Sequence, residues 1–353
     1  MKVSVIIKAL NEETFIARAI ESCLVALAKA DPGGEIILAD CLSQDRTVEI
    51  ASAYPVRFVQ LRDAADRGCG TAPQLGFQYA AGEYVYLMDG DMELHADFLA
   101  AALKAAEADP GLAGVGGIMR EMHVENLEFA SRIARPRADL RPGTVDRLDG
   151  GALYRRAAVE TVGYLSDHNL HAFEEFELAT RLRAKGWRLA RLDQVAVDHY
   201  GYRNNAYHLL WQRLRSGYAG GAGELARATL GKPSFLEVVR SIRTLWTTAF
   251  VIAWFAAMLL ALALIDDIGR AAMFAAPILI APPAVMTFRR RSLQLGLYAV
   301  VVWIAYTVGS LRGFLSVRKD PAGWIPSRVL HDGTQSRPGP TAVSSSGRSR
   351  EVA

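Results

Sequence analysis

Over roughly the first 120 residues, short runs of β-branched and other apolar residues alternate with longer stretches whose apolar positions recur at helical spacing. The pattern predicts strands over residues 3–7, 35–39, 56–60 and 84–88. It predicts helices over 12–30, 47–53, 72–81 and 97–108, the first with Asn11 as its N-cap. The last of these stops at Asp109-Pro110-Gly111, where the helix loses first a donor and then a side chain. Strands apolar on both faces and separated by helices imply a parallel sheet covered on both sides. Such sheets keep their ligands beyond the carboxyl ends of their strands.

Asp40 and Asp89 fall at two of those ends. The second lies in EYVYLMDGDMELHADF, where an apolar run stops in two carboxylates separated by Gly90. Residues i and i+2 of an extended chain point to one side, so Asp89 and Asp91 can aim together, and a glycine between them lets backbone and ligand approach. Two hard oxygen donors so placed suit Mg²⁺ or Mn²⁺ shared with phosphate oxygens. The same acids suit the start of the helix predicted from residue 97, whose N-terminal dipole favours negative charge; taken alone, the motif does not choose. Asp40 also reads in two ways. It can accept from a base N–H or a ribose hydroxyl, or it can form an Asx turn or cap shared with Ser43 and Asp45.

From Leu245 the chain changes character. Residues 245–265 carry no charge and are long enough to cross a bilayer. Residues 271–288 are uncharged but marginal in length, with Pro277, Pro282 and Pro283 to bend them, and residues 293–311 form a third candidate. Just before the first span, PSFLEVVRSIRTLW pairs Ser234 with Glu237 as a capping box, and its Arg240, Arg243 and Trp246 suit the headgroup level. Arg240 and Arg243 before the first span, and Arg289 to Arg291 after the second, both read as cytoplasmic. A third full crossing would then export Arg312, Arg318, Lys319 and Arg328, so either the last run is re-entrant or interfacial, or the rule is violated. These changes divide the chain into residues 1–230, a membrane region over 231–318, and a Ser-, Gly- and Pro-rich tail over 319–353 expected to be mostly disordered.

The formal net charge of +3 is too small to point to nucleic acid. Cys23, Cys41 and Cys69 stand singly, which argues against a disulfide framework or zinc site and suits a reducing compartment. The opening MKVSVIIKALNEE is an apolar run too short, and too soon followed by acids, to read as a secretory leader.

The segments VSVIIKALNEE, EIILADCLSQDRT and GEYVYLMDGDMEL occur in that order. Together they resemble the signature of glycosyltransferase family 2: an SVIIPxxNEE start, a VDDGSxDxT turn and a DxD motif. Further on, LDGGALYRRAAVETVGYL resembles the family's acceptor-side segment, FEEFELATRLRAKGWRL its ED-containing helix, and VAVDHY its strand-plus-histidine. The resemblance covers about residues 1–220. It implies a GT-A fold, a Rossmann-like mixed sheet with a nucleotide-binding half and an acceptor half, here followed by transmembrane helices. The implied activity is inverting transfer of a sugar from a nucleotide-diphosphate sugar to a hydroxyl, with Mn²⁺ or Mg²⁺ as cofactor. By motif position, Ala9, Leu10, Asn11, Glu12 and Asp40 would hold the nucleoside, and Asp89 and Asp91 the metal on the diphosphate. His199 would add a metal ligand or touch the phosphates. Glu175 would be the general base that deprotonates the acceptor, with Gly150, Gly151 and Glu174 on the acceptor side. Read from its residues alone, the helix around Glu175 is instead a solvated face, with Glu177 pairing Arg181.

Several positions depart from the family. Lys8 stands where proline is usual, Glu174-Glu175 where Glu-Asp is usual, and Pro73-Gln74 where many members carry Arg-Asn, which leaves Arg67 to supply positive charge near the diphosphate. In WQRLRSG, Gln212 and Arg215 fit the QxxRW motif of processive synthases but Ser216 replaces the tryptophan, which favours single-sugar addition. The arginine-rich residues 131–143 read as a contact for a lipid phosphate or as a solvated loop. With the spans, the expected partner is a membrane-linked glycan or polyprenyl-linked acceptor, and the expected location the cytoplasmic membrane, multi-pass, with the catalytic unit inside. Two other readings stand beside it. A sugar-nucleotide-forming nucleotidyltransferase would need a Gly- and Arg-rich loop where this chain has KALNEE, and a silent membrane scaffold would explain the departures.

Overall fold

A computed structural model describes residues 1–122, 141–201, 206–265 and 267–333. Strands β1 (Val3–Ala9), β2 (Glu35–Asp40), β3 (Arg57–Leu61) and β4 (Tyr84–Asp89) run parallel in the order β3-β2-β1-β4. Their side chains alternate between two cores: Val3, Val5 and Ile7 enter one and Ile6 the other. Helix α1 (Ile16–Ala30) lays Ile16, Ala19, Ile20, Cys23, Ala26 and Leu27, one helical stripe, on the first face. Helices α2 (Thr47–Ala51), α3 (Thr71–Tyr79) and α4 (Phe98–Ala108) complete the crossovers, α4 on the first face and α3 on the second.

Beyond Asp89 the sheet becomes mixed. It continues through β5 (Met92–Leu94), β6 (Leu112–Glu121), β7 (Gly143–Val145), β8 (Ala152–Arg155) and β9 (Arg188–His199). Strand β8 lies antiparallel to both β4 and β6, β6 parallel to β9, and β5 and β7 antiparallel to β9. Helix α5 (Arg156–Glu160) follows β8, and α6 (Glu174–Ala184) packs Leu178, Ala179 and Leu182 on the second face.

The first helix begins four residues later than its periodicity predicts. Asn11 is not its cap: it takes a left-handed conformation (φ 60°) and its Oδ1 accepts from the Gln44 amide at 2.7 Å, so the loop is stapled across to residues 43–47 before the helix starts.

After α7 (Ala206–Arg215), α8 (Gly221–Thr229) and α9 (Phe235–Ser241) come three long apolar helices, α10 (Arg243–Leu264), α11 (Ile268–Arg290) and α12 (Leu293–Leu315). Length and composition suffice for each to cross a membrane, and Leu259, Leu264, Phe274 and Phe288 stand exposed along them. Pro282 cannot donate to the Ile278 carbonyl, and the Trp254 indole Nε1 donates to it instead at 2.7 Å. The expected capping box does not form: Ser234 makes no cap hydrogen bond and Glu237 pairs with Arg183 across the fold.

Small residues join this unit to the sheet domain. Gly309, Ser310 and Gly313 of α12 meet Ala219, Gly220 and Gly223 so closely that a Cβ on Gly223 would overlap the Ser310 carbonyl. Ile242 and Leu245, at the start of α10, pack on Ala222 and Leu225 of the same helix α8. Both ends of the three-helix unit therefore meet α8.

The chain then returns to the sheet within residues 319–333, the first part of the tail expected to be mostly disordered. Arg318 pairs with Asp167, the Lys319 amide donates to Asn169 Oδ1 at 2.7 Å, and β10 (Ser327–Asp332) adds antiparallel to β3. SRVLHD has no clear alternation; the strand forms because β3 presents an unpaired edge. Residues 334–353, and all but the last three of the arginine-rich stretch 131–143, lie outside the described residues.

Replacing Gly223 by valine should force α12 off α8, at a cost of about 3 kcal/mol or more for an overpacked backbone contact. The expected result is a lower melting temperature in detergent and faster proteolysis within residues 316–333; an unchanged melting curve would contradict the contact.

Candidate active site

In-register pairing aligns the ends of three parallel strands. Ala9 lies opposite Asp40, and Lys8 opposite Asp89. Asn11 and Leu42, in the loops that leave two of these ends, and Phe173, in the turn before α6, are three of the four described non-glycine residues with positive φ. Side chains tie the first two loops together, with Ser43 Oγ accepting from Asn11 N at 2.8 Å and Thr47 Oγ1 from Glu12 N at 2.7 Å. Leu10 is exposed at the lip of this edge, whereas Ala9 and Glu12 are buried.

Asp40 takes the turn role. It is fully buried and accepts from the Ser43 amide and hydroxyl and from Gln60 Nε2 at 2.8 Å; Gln60 Oε1 in turn accepts from Arg328 Nε of β10 at 2.9 Å. Arg67 is likewise occupied, its guanidinium donating to the carbonyls of Cys41 and Leu42. It staples the β2–α2 loop in place.

Asp89 and Asp91 leave β4 with different partners. Asp89 Oδ1 is 2.7 Å from Lys8 Nζ, and the same ammonium is 3.7 Å from Glu175 Oε1. Asp91 is buried, with Oδ2 3.3 Å from His199 Nε2, while His199 Nδ1 lies 2.6 Å from Glu121 Oε2. Gly90 makes the turn possible, since a Cβ there would lie 2.8 Å from Glu12 Cγ and 3.1 Å from the Lys8 carbonyl oxygen. Gly150 and Gly151 close the far wall. A Cβ on Gly150 would sit 3.1 Å from Asp89 Oδ2, and Gly151, at φ 79°, donates its amide to the Leu87 carbonyl at 2.9 Å.

Helix α6 brings Glu174 and Glu175 to this edge on the left-handed turn at Phe173. Its acids do not form a solvated face. Glu174 and Glu177 are buried, and Glu177 is held by Arg181 Nε at 2.8 Å and by the Tyr164 hydroxyl at 3.0 Å. The first-turn position gives all three carboxylates a favourable helix dipole.

The electrostatics follow from burying several acids together. Desolvation, then the neighbouring Glu175 charge, pushes Glu174 up to about 8 against the opposing pull of Lys8. Burial also raises Glu175, with Asp89 and Asp149 adding to the effect and Lys8 opposing it. Burial disfavours charge on Lys8, but Asp89, Glu175 and Glu174 outweigh it and keep the ammonium. For His199, burial again opposes protonation, and Asp91 and Glu121 overcome it to push the ring up to about 10.

Among the described residues no three His, Cys, Asp or Glu side chains gather closely enough to enclose a metal ion by themselves. Mg²⁺ and Mn²⁺ are usually held by one or two carboxylates completed by substrate phosphates and water, a role the Asp91 carboxylate fits; His199, 3.3 Å away, could join it only as the neutral ring, after giving up the proton that Asp91 and Glu121 favour. The structure thus brings together Lys8, Asp89, Glu174, Glu175 and Gly150. It gives Asp40 and Arg67 to loop architecture, and adds Glu121 behind His199. Sequence reasoning noticed Lys8 only as a missing proline; the one available signal was a cation directly after the strand predicted over residues 3–7, at the edge where the other strands end in aspartates.

A Rossmann-like parallel half, a mixed second half and acidic loops at the carboxyl ends of the strands define a GT-A fold. Residues 4–163 match the model of Glycosyl transferase family 2. The solved structures of similar fold include S. aureus TarS 1–349, at 17% identity and TM-score 0.50 over 88% of this chain and 91% of that one. The mannosyltransferase PcManGT from Pyrobaculum calidifontis is similar at 21% identity and TM-score 0.56, over 88% and 87%. Residues 4–163 thus form a family 2 glycosyltransferase region, and the chain is a transferase.

Glu174 allows a test of this electrostatic account. Its folded value lies above the ordinary 4.5, so the stability linked to its proton is present below about pH 4.5 and is lost as pH rises through about 8. Glu174→Gln, which has no proton to lose, should melt several degrees above wild type near pH 9 and close to it near pH 5, as measured by thermal unfolding. Equal melting curves at both pH values would refute the assignment.

Proposed function

We propose that the chain transfers a sugar, with inversion, from a nucleotide-diphosphate sugar to a hydroxyl of a membrane-linked glycan or lipid. The observation that carries this reading is the meeting of Asp89 and Glu175 around one ammonium at the carboxyl edge of the sheet. An inverting transfer needs a base and a leaving group on opposite sides of the anomeric carbon. Glu175, raised by burial, is suited to take the acceptor proton as the acceptor oxygen forms its bond to that carbon. The bond from the anomeric carbon to the diphosphate oxygen breaks in the same step, and the nucleoside diphosphate departs toward Asp89 and Asp91. Asp89, Asp91 and His199 would hold a divalent cation with the diphosphate, and a cation bound there would neutralise charge on the leaving group. Asn11, Leu10 and Ser43 line the edge where the nucleoside would lie, over a floor that Asp40 stiffens. Two solved neighbours were captured with donors of this class, TarS with UDP-GlcNAc and PcManGT with GDP-Man and Mn²⁺.

The test is a panel of UDP-GlcNAc, UDP-glucose and GDP-mannose with and without Mn²⁺. One donor should raise the melting temperature in a Mn²⁺-dependent way and be slowly hydrolysed, and Asp91→Asn should abolish the shift. Glu175→Gln should keep the shift and lose about 10²–10⁴-fold in transfer rate, the usual range for a general base. A chain that none of these donors stabilises would instead be a silent scaffold.

We also propose an even number of membrane crossings, with the catalytic unit in the cytoplasm. A 22-residue helix reaches about 33 Å, enough for a hydrocarbon core of about 30 Å. Three full crossings would separate the start of α10 from the end of α12 by that thickness, yet both rest on the nine-residue helix α8. Two crossings, α10 and α12, joined by the proline-bent α11 on the far side, remove the conflict. Arg240, Arg243, Arg312, Arg318 and Lys319 then share one face, as cytoplasmic charge should, while Arg289 to Arg291 fall on the far side, against the same rule. In intact cells, Asp267→Cys and Ser292→Cys should both react with an impermeant maleimide, and Ser316→Cys only after permeabilisation. Reaction of the first two from opposite sides would overturn this arrangement.

A further inference from the structure

Lys8 stands where glycosyltransferase family 2 usually has proline, and at the last turn of a buried strand the change needs a reason. Proline fixes the backbone and contributes no charge. A lysine in the same place brings an ammonium into a region from which water is largely excluded, which is costly unless it is paired. Here it is paired twice. Nζ lies 2.7 Å from Asp89 Oδ1 and 3.7 Å from Glu175 Oε1, and the side chain keeps only 11% of its exposure. The backbone of the same residue is engaged too, its carbonyl accepting from the Gly90 amide at 2.8 Å, so the root of the side chain cannot shift without moving the Asp89–Gly90 turn.

The two carboxylates come from opposite halves of the molecule. Asp89 closes β4, whereas Glu175 is in the first turn of α6, and no hydrogen bond joins the two side chains among those described. Glu175 is one methylene longer than the aspartate usual at its position, so its carboxylate has more rotamers to choose from. Like charges this close repel, and with nothing between them the longer arm would swing away.

Resting on the catalytic reading given above, we propose that Lys8 is a positioning residue. Its ammonium links Asp89 to Glu175 and thereby sets where the Glu175 carboxylate stands relative to the leaving-group side of the site. The extra methylene at Glu175 and the lysine at position 8 compensate one another: the longer base is drawn back toward the strand edge by the charge that replaces proline. Arg67 does not serve in this place, because it is spent on the carbonyls of Cys41 and Leu42.

The experiment compares wild type, Lys8→Met and Lys8→Arg with whichever of UDP-GlcNAc, UDP-glucose or GDP-mannose the wild type turns over, and measures UDP binding with Mn²⁺ by calorimetry. Misplacing a base by about 1 Å costs on the order of 10²-fold, so Lys8→Met should lose about that much in kcat while the donor KM and UDP affinity stay within about threefold. Lys8→Arg keeps the charge with a different reach and should lose about tenfold in kcat, again with KM retained. It also keeps the question open to measurement if removing the buried cation prevents Lys8→Met from folding. Values of kcat within about twofold of wild type in the folded variants, or losses confined to KM and UDP affinity, would overturn the proposal while leaving the catalytic reading intact. A wild type that turns over none of the three donors would overturn both.

Discussion

The ion pair between Lys8 and Asp89 has to exist for the rest of this edge to be built. Glu174, Glu175 and Asp89 all converge where three strands end, and each is at least partly removed from water. Such a group of acids is stable only if protons or a counter-charge enter with it. The fold uses both: Glu174 retains a proton far above the ordinary carboxyl range, and Lys8 supplies a charge that cannot diffuse away. A neighbouring trio, Asp91 with His199 and Glu121, repeats the arrangement with an imidazolium as the cation.

Around this centre the molecule divides its labour between fixed and adaptable parts. The parallel half supplies a flat edge whose register is set by apolar residues on both faces, so that Ala9, Asp40, Lys8 and Asp89 arrive in line. The loops that leave this edge are tied by side chains, with Asp40, Ser43, Asn11 and Arg67 all spent on holding backbone. Residues whose motif position suggests contact with a nucleoside can thus contribute by shaping the surface that does. The three-helix unit is coupled to this edge by two routes, the small-residue seam between α12 and α8 and the returning strand β10, whose Arg328 supports Gln60 and through it Asp40.

Much of this was legible in the order of residues. The alternation of strand and helix, the aspartates at strand ends and the three apolar runs are local signals, because each depends on side chains within one or two turns of each other. The resemblance of the segments up to the DxD motif to one family also came from short, ordered motifs, and the family match over residues 4–163 agrees with it; the ED segment lies beyond that match. What could not be read was which acid meets which cation. Arg67 was expected beside the diphosphate, yet it donates to the loop after β2; Glu177 pairs with Arg181 as its spacing predicts, but the pair is buried against Tyr164 rather than solvated. Arg67 with Cys41, Lys8 with Asp89 and Glu175, and His199 with Asp91 join residues far apart in the chain, and no periodicity encodes them.

The sequence by itself determined the fold class, the positions of the carboxylates along the chain and the existence of long apolar helices, since these follow from hydrophobic spacing and turn chemistry. Tertiary structure decided that Lys8 faces Asp89 and Glu175, that Asp40 is sealed within a turn, that the tail returns as β10, and that both ends of the three-helix unit share one helix. The physical reason is the same in every case. Burial, like-charge repulsion and the filling of an open sheet edge are settled only when distant segments compete for one place.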